Sequence, residues 1–132
     1  MNVLIVDDEP LAREGMRLLL ADEPEVTGVA EARNGAEAVS LIRAQKPDLV
    51  LLDVQMPEMD GFGVLKELGA EHIPPVIFVT AHDRYAIQAF EVNAIDYLLK
   101  PVTRERFQQA LTRMRERVRG KPVLAGDGPR AI

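Results

Sequence analysis

The chain contains no cysteine, which excludes disulfides, thiolate metal sites and cysteine nucleophiles. No stretch approaches the ~18 consecutive apolar residues that a membrane-crossing helix requires, so no membrane partner is expected. Met1-Asn2-Val3 leads straight into an apolar run without a basic region or cleavage site, so no secretory signal is expected and a cytoplasmic location is the natural reading. A glycine-rich phosphate loop is also missing, whether G-x-x-x-x-G-K-[ST] or G-x-G-x-x-G, which argues against nucleotide binding. Histidine is scarce: His72 and His82 have no metal-ligand partner three or four positions away. Positive charge is in deficit overall, with a formal net charge of -5, so the chain as a whole lacks the field that nucleic-acid binding uses.

What is present is a hydrophobic, regularly alternating chain. At 132 residues and 47% hydrophobic content, it is long enough for one domain with a buried core, with or without a tail. Short apolar runs alternate with segments of helical period, the pattern of repeated βα units. Strands are predicted near 2–7, 26–32, 49–53, 76–80 and 95–99. The second carries Gly28 and Glu31, a polarity that suits an edge position. A helix opens at Pro10 and buries Ala12, Met16, Leu19 and Leu20. Asn34-Gly35-Ala36-Glu37 has the form of a capping box ahead of Ala38, Val39 and Ile42. Asp60 is placed to cap a third helix carrying Leu65 and Leu68 and stopped by Gly69, and His72 to Pro75 reads as a turn. Asp83 is a candidate cap for a fourth helix over Arg84–Val92, with Ala86, Ala89 and Phe90 inward and Asn93 at its end. The last helix runs from Thr103 to Arg119 with Phe107, Ala110, Leu111, Met114 and Val118 as its stripe. Residues 120–132 have no periodicity and read as linker or tail.

The chemistry sits at the ends of the apolar runs. Val3-Leu4-Ile5-Val6 ends in Asp7-Asp8, Leu49-Val50-Leu51-Leu52 in Asp53, Val76-Ile77-Phe78-Val79 in Thr80, and Tyr97-Leu98-Leu99 in Lys100-Pro101. In an open parallel sheet those ends face one crevice, where ligands bind. Each carboxylate alone has a plain explanation, Asp8 as a helix cap and Asp53 as a strand end. Together they form a site for Mg²⁺, with Mn²⁺ as a substitute, because the ion takes a few carboxylates, keeps waters and is often completed by a phosphate oxygen. Lys100 offers a point charge for phosphate and a counter-charge for the acids. Thr80 offers a hydroxyl. With no nucleotide loop, the phosphoryl group is expected to be covalent, accepted by a carboxylate as an acyl phosphate. Pro101 is a candidate for a cis peptide bond, and Gly61 marks a backbone position short of side-chain space. Met56 and Met59 read as packing or loop residues.

In this combination, order and spacing, Val6-Asp7-Asp8-Glu9-Pro10, Asp53-Val54-Gln55-Met56-Pro57-Glu58-Met59-Asp60-Gly61, Val79-Thr80-Ala81 and Tyr97-Leu98-Leu99-Lys100-Pro101 resemble the receiver domain of bacterial two-component response regulators. The resemblance spans 1–119. The stretch from Thr80 to Pro101 is similar to receivers attached to LytTR-type DNA-binding domains. It implies a flavodoxin-like α/β fold, a five-stranded parallel sheet in the order 2-1-3-4-5 with helices on both faces. It further implies Asp53 as phosphoacceptor, and Mg²⁺ held by Asp7, Asp8, Asp53 and the main-chain carbonyl of Gln55. Thr80, the main-chain amide of Ala81 and Lys100 would hold phosphoryl oxygens, and Tyr97 would be the switch aromatic.

Such a chain is a regulatory phosphoacceptor rather than an enzyme in the ordinary sense. Its implied partners are a sensor histidine kinase and DNA, the latter only through an output domain absent here. It reads as a truncated regulator in preference to a stand-alone receiver. Gln55 and His82, each two residues past a site residue, are expected to tune a slow self-dephosphorylation. A metal-dependent phosphatase is the rival class, but it usually needs a second carboxylate where Gln55 stands. A bare dimerisation module would not need Thr80 and Lys100 beside three aspartates. Six arginines against two glutamates between Arg104 and Arg119 read as a solvated face or an electrostatic contact surface. With Glu91 and Asp96 nearby, opposite charges there suit a homodimer formed on phosphorylation.

Overall fold

The computed structural model describes residues 1–118. Arg119, the expected end of the last helix, and the expected tail over 120–132 lie outside the described residues. Five strands, β1 (Asn2–Val6), β2 (Gly28–Ala32), β3 (Leu49–Leu52), β4 (Val76–Thr80) and β5 (Asp96–Leu99), form one sheet in the order β2-β1-β3-β4-β5. All four pairings are parallel, which the expected order requires. The interior strands β1, β3 and β4 are apolar on both faces because both faces are covered.

Helices α1 (Pro10–Ala21) and α5 (Arg104–Val118) pack on one face of the sheet, and α2 (Gly35–Gln45), α3 (Gly61–Leu68) and α4 (Ala86–Glu91) on the other. Alternate strand residues point to opposite faces, so Val3, Ile5, Leu49, Leu51, Ile77 and Val79 meet the α1/α5 layer. Leu4, Val6, Val50, Leu52, Val76 and Phe78 meet the α2/α3/α4 layer. Caps appear where side chains can supply them. Asn34 accepts from the Glu37 amide at 2.8 Å while the Glu37 carboxylate accepts from the Arg33 amide at 2.7 Å. Asp60 accepts from the Gly63 amide at 2.7 Å. Gly69 ends α3 with φ +88°, a left-handed conformation that glycine adopts without Cβ strain.

Three expectations change. Helix α4 begins at Ala86 rather than Arg84, with Tyr85 and not Asp83 at its cap position. Its inward stripe is therefore Tyr85, Ala89 and Val92, the last two at four- and three-residue steps, while Ala86 is exposed and Phe90 is 71% exposed. The aromatic ring of Tyr85 takes the inward place that the sequence pattern assigned to Phe90. A short 3₁₀ turn over Ala70–His72 precedes the predicted loop. Val118 continues the α5 stripe but is exposed. The helix simply outruns the sheet, since its 15 residues rise by ~1.5 Å each and the strands it covers have only four or five.

Among the described residues, the arginines of α5 are engaged within the chain. Arg106 makes two bonds to Asp96, at 2.8 and 2.7 Å, and Arg113 reaches the same carboxylate at 3.1 Å. Arg115 pairs with Glu25 at 2.7 Å and Glu23 at 3.3 Å, Arg104 with Asp22 at 2.6 Å, and Arg117 donates to the Asn93 carbonyl at 2.7 Å. The expected use of Asp96 as an acidic patch for a partner is therefore corrected. Its side chain is only 4% exposed and already engaged by two arginines of its own chain. Replacing Asp96 by Asn should destabilise the domain by about 2 kcal/mol, because charge-assisted bonds to a buried group are lost while the arginines remain partly solvated. Urea unfolding checks this, with a lower midpoint expected at unchanged m.

Candidate functional site

Strand register brings the separate run ends into one row. The Asp53 amide donates to the Val6 carbonyl at 3.0 Å, so Asp53 follows β3 at the level where Asp7 follows β1. The Lys100 amide donates to the Thr80 carbonyl at 2.9 Å, which does the same for β5 and β4. Asp7 is further fixed on both sides. Its carboxylate accepts from the Glu9 amide at 2.9 Å, and its carbonyl accepts from Arg13 at 2.7 Å. Arg13 is in turn held by Glu31 at 2.8 Å, which also pairs with Arg17 at 2.6 Å. Glu31 is thus more than the polar residue of an edge strand: it anchors the arginine that pins the β1–α1 turn. An acid in β2 with arginines at 13 and 17 on one helix face was the available signal.

Asp7, Asp8 and Asp53 each offer a carboxylate oxygen within 4.8 Å of the others, with Asp7 and Asp53 buried and Asp8 exposed. Lys100 Nζ lies 2.7 Å from Asp7 Oδ2 and 3.6 Å from Asp53 Oδ2. Burial, then the neighbouring Asp7 charge, pushes the Asp53 carboxyl up to about 6, against the pull of Lys100, the Val54 amide and the Thr80 hydroxyl. Burial works to lower the Lys100 pKa, but the bond to Asp7 and the charges of Asp53, Asp7 and Glu9 raise it on balance. One ammonium thus only partly compensates three acids. A divalent cation matches the remaining charge and the all-oxygen donor set.

Thr80 is fully buried at the end of β4, and its hydroxyl accepts weakly from the His82 amide at 3.4 Å. Ala81 is exposed beside it. Tyr97 is half-buried, packs against Phe78 with ring centroids 6.4 Å apart, and donates its hydroxyl to the His82 carbonyl. The Lys100–Pro101 peptide is cis. Gly61 meets its spatial demand: a Cβ there would stand 2.5 Å from the Asp53 carbonyl oxygen. Met56 is buried in the core and Met59 packs against it. His72 is exposed in the turn before β4, on the loops that enter the strands rather than leave them. The Gln55 side chain turns to Tyr85, whose hydroxyl accepts from Gln55 Nε2 at 3.0 Å. Sequence reasoning passed over Tyr85.

Residues 3–112 match the family model described as the response regulator receiver domain. The chain belongs to the response regulator receiver family. This receiver is 46% identical over 116 residues to the transcriptional regulatory protein BtsR of Salmonella typhi, covering 88% of this chain and 48% of that protein. It is 47% identical over 112 residues to the sensory transduction protein LytT of Enterococcus faecalis, covering 84% and 46%, in keeping with the LytTR-type likeness. The chain therefore spans about half the length of the curated relatives it matches. Among solved structures, the response regulatory domain of protein mrkE from Klebsiella pneumoniae superposes with a TM-score of 0.81 at 28% identity, covering 92% of this chain and all of that one. The receiver domain of AraT from Geobacillus stearothermophilus gives 0.80 at 33% identity, covering 90% and 95%. The flavodoxin-like order of the sheet agrees with these neighbours.

The raised Asp53 pKa has a consequence for metal-free receiver. The folded carboxyl holds its proton up to about 6, against an ordinary 3.8, so acid favours the native state and this advantage is lost as pH rises through about 6. At pH 7 the ionised carboxylate costs about 3 kcal/mol, the shift from 3.8 to about 6 taken at ~1.4 kcal/mol per pH unit. Asp53→Asn removes the charge and should raise the metal-free unfolding midpoint at pH 7. The gap to the unchanged protein should narrow toward pH 4 and also on adding Mg²⁺. Thermal unfolding across that range checks it, and a gap independent of pH would contradict the assigned cause.

Proposed function

We propose that this receiver accepts a phosphoryl group from a sensor histidine kinase on the Asp53 carboxylate and converts it into a change of surface. The observation that carries the reading is the meeting of Lys100 with Asp7 and Asp53, at 2.7 and 3.6 Å, beside three carboxylates within 4.8 Å of one another. An Asp53 oxygen attacks phosphorus, the bond from phosphorus to the imidazole nitrogen breaks, and the imidazole leaves with the electron pair. Lys100 pairs with the incoming phosphoryl oxygens, and the Thr80 hydroxyl and Ala81 amide donate to them. Asp7, Asp8, Asp53 and the Gln55 main-chain carbonyl would hold Mg²⁺ or Mn²⁺, which when bound neutralises charge shared between carboxylate and phosphoryl oxygens. Gln55 and His82 border the water that later attacks phosphorus, and so tune the return to the free carboxylate.

The phosphoryl group adds about two negative charges. Thr80 and Lys100 are drawn toward it, and the β4–α4 loop moves with Thr80. Tyr97 is bonded to that loop at the His82 carbonyl, so its position reports the loop's. This gives a two-state element biased by local charge. The face it alters contains Ile87 and Phe90, 77% and 71% exposed and three residues apart on α4, with exposed Leu99 on the adjacent edge strand β5. Exposed apolar side chains on one helix face suit a two-fold contact with a second copy. Output would be transcriptional, through a LytTR-type DNA-binding domain in the remaining half of a full regulator, in the cytoplasm.

Mass spectrometry with Mg²⁺ and a small phosphodonor tests the phosphoacceptor reading. A single phosphoryl addition is expected in the unchanged protein, none at this site in Asp53→Asn, and a higher Mg²⁺ requirement with intact fold in Asp8→Asn. Continuous turnover of many phosphomonoesters would instead indicate a phosphatase. Sedimentation with an acyl-phosphate mimic should show a larger dimer fraction, abolished by Phe90→Lys and not weakened by salt. A monomer in both states at high concentration would remove the dimer without touching Asp53.

A further inference from the structure

Tyr85 joins the two side chains that flank the phosphorylation crevice. Gln55 lies on the loop after β3 and is exposed, yet its carboxamide is fastened at 3.0 Å to a phenol thirty residues further along the chain. That phenol is not free to follow it. The Tyr85 ring is half-buried against the core, 6.1 Å from the ring of Phe62 on α3. It also meets the His82 ring edge-on at 6.3 Å. The exposed Arg84 donates a second bond to the same hydroxyl at 3.0 Å. The hydroxyl is therefore a fixed acceptor carried by the loop after β4, and Gln55 is the side chain that comes to it.

Asp53 follows β3 and Thr80 ends the neighbouring strand β4, so the loops after these two strands leave the sheet side by side. A bond from Gln55 to Tyr85 therefore spans the side of the crevice between them. We infer that Tyr85 is a positioning residue that holds the Gln55 carboxamide across that side and so lengthens the life of the phosphoryl group on Asp53. This rests on the phosphoacceptor reading above. Decay of that group is attack of water on phosphorus, with cleavage of the bond to the Asp53 oxygen. The carboxylate leaves with the electron pair and the water gives up a proton to solvent. Gln55 held by Tyr85 narrows the approach of that water.

Tyr85→Phe removes the hydroxyl and keeps the ring in its core contacts. In phosphate-free protein, nitrogen-15 NMR should show the Gln55 side-chain amide signals shifting toward free-solution values in this variant, while the backbone spectrum stays dispersed. After phosphorylation with a small donor, the phosphoryl group should decay at least three-fold faster in Tyr85→Phe. Gln55→Ala should speed decay by a similar factor, and adding Tyr85→Phe to Gln55→Ala should have no further effect. That non-additivity separates positioning through Gln55 from general loosening, which would multiply the two effects. Unchanged Gln55 signals, unchanged decay, or the same acceleration in both backgrounds would each overturn the inference and leave Asp53 as phosphoacceptor untouched. Failure of the unchanged protein to take up any phosphoryl group would overturn both.

Discussion

Lys100 reaches Asp7 at 2.7 Å and Asp53 at 3.6 Å, and the rest of the site depends on that ammonium. Two buried carboxylates this close repel, and burial already disfavours their charged forms. Asp53 shows the strain in its pKa of about 6. A site under such tension stays folded because its neighbours are over-determined. Asp7 is held by the Glu9 amide and through Arg13 and Glu31, and Asp53 by the β1–β3 ladder. The unbalanced charge and the all-oxygen donor set suit the place to a divalent cation.

The same economy of charge runs through α5. A helix with this many arginines looks like a contact surface until its partners are found. Asp96, Glu23, Glu25 and Asp22 take up Arg106, Arg113, Arg115 and Arg104, so the basic face is largely internal stitching between α5, β5 and the loop after α1. Exposed ion pairs of this kind are individually weak, but the Asp96 pair is buried on the acid side and two arginines share it. With the charges spent, the apolar residues Ile87 and Phe90 become the distinctive feature of the neighbouring α4 face.

Most of the fold was legible because its signals are local. Apolar runs bounded by helical stripes identify βα units, and capping patterns at Asn34 and Asp60 mark helix starts by hydrogen bonds between near neighbours. The fourth helix was read less well for the same reason. Ala86 or Tyr85, and Phe90 or Ala89, are close alternatives by local period, and only packing against Phe62 and the core selects Tyr85 for the inside.

Asp7, Asp8, Asp53, Thr80 and Lys100 were visible by themselves as polar residues ending hydrophobic runs, because a parallel sheet must bring equivalent strand ends to one side. Gly61 was visible too, as a position short of side-chain space, while only the structure shows that the Asp53 carbonyl oxygen fills that space. Tertiary structure alone decided which side chains pair: Arg13 with Glu31 and Arg106 and Arg113 with Asp96 as ions, and Gln55 with Tyr85 through a neutral hydrogen bond. These contacts join residues remote in sequence through flexible side chains. Their partners are chosen by distance and burial after the backbone has closed, and neither quantity is written in the order of the residues.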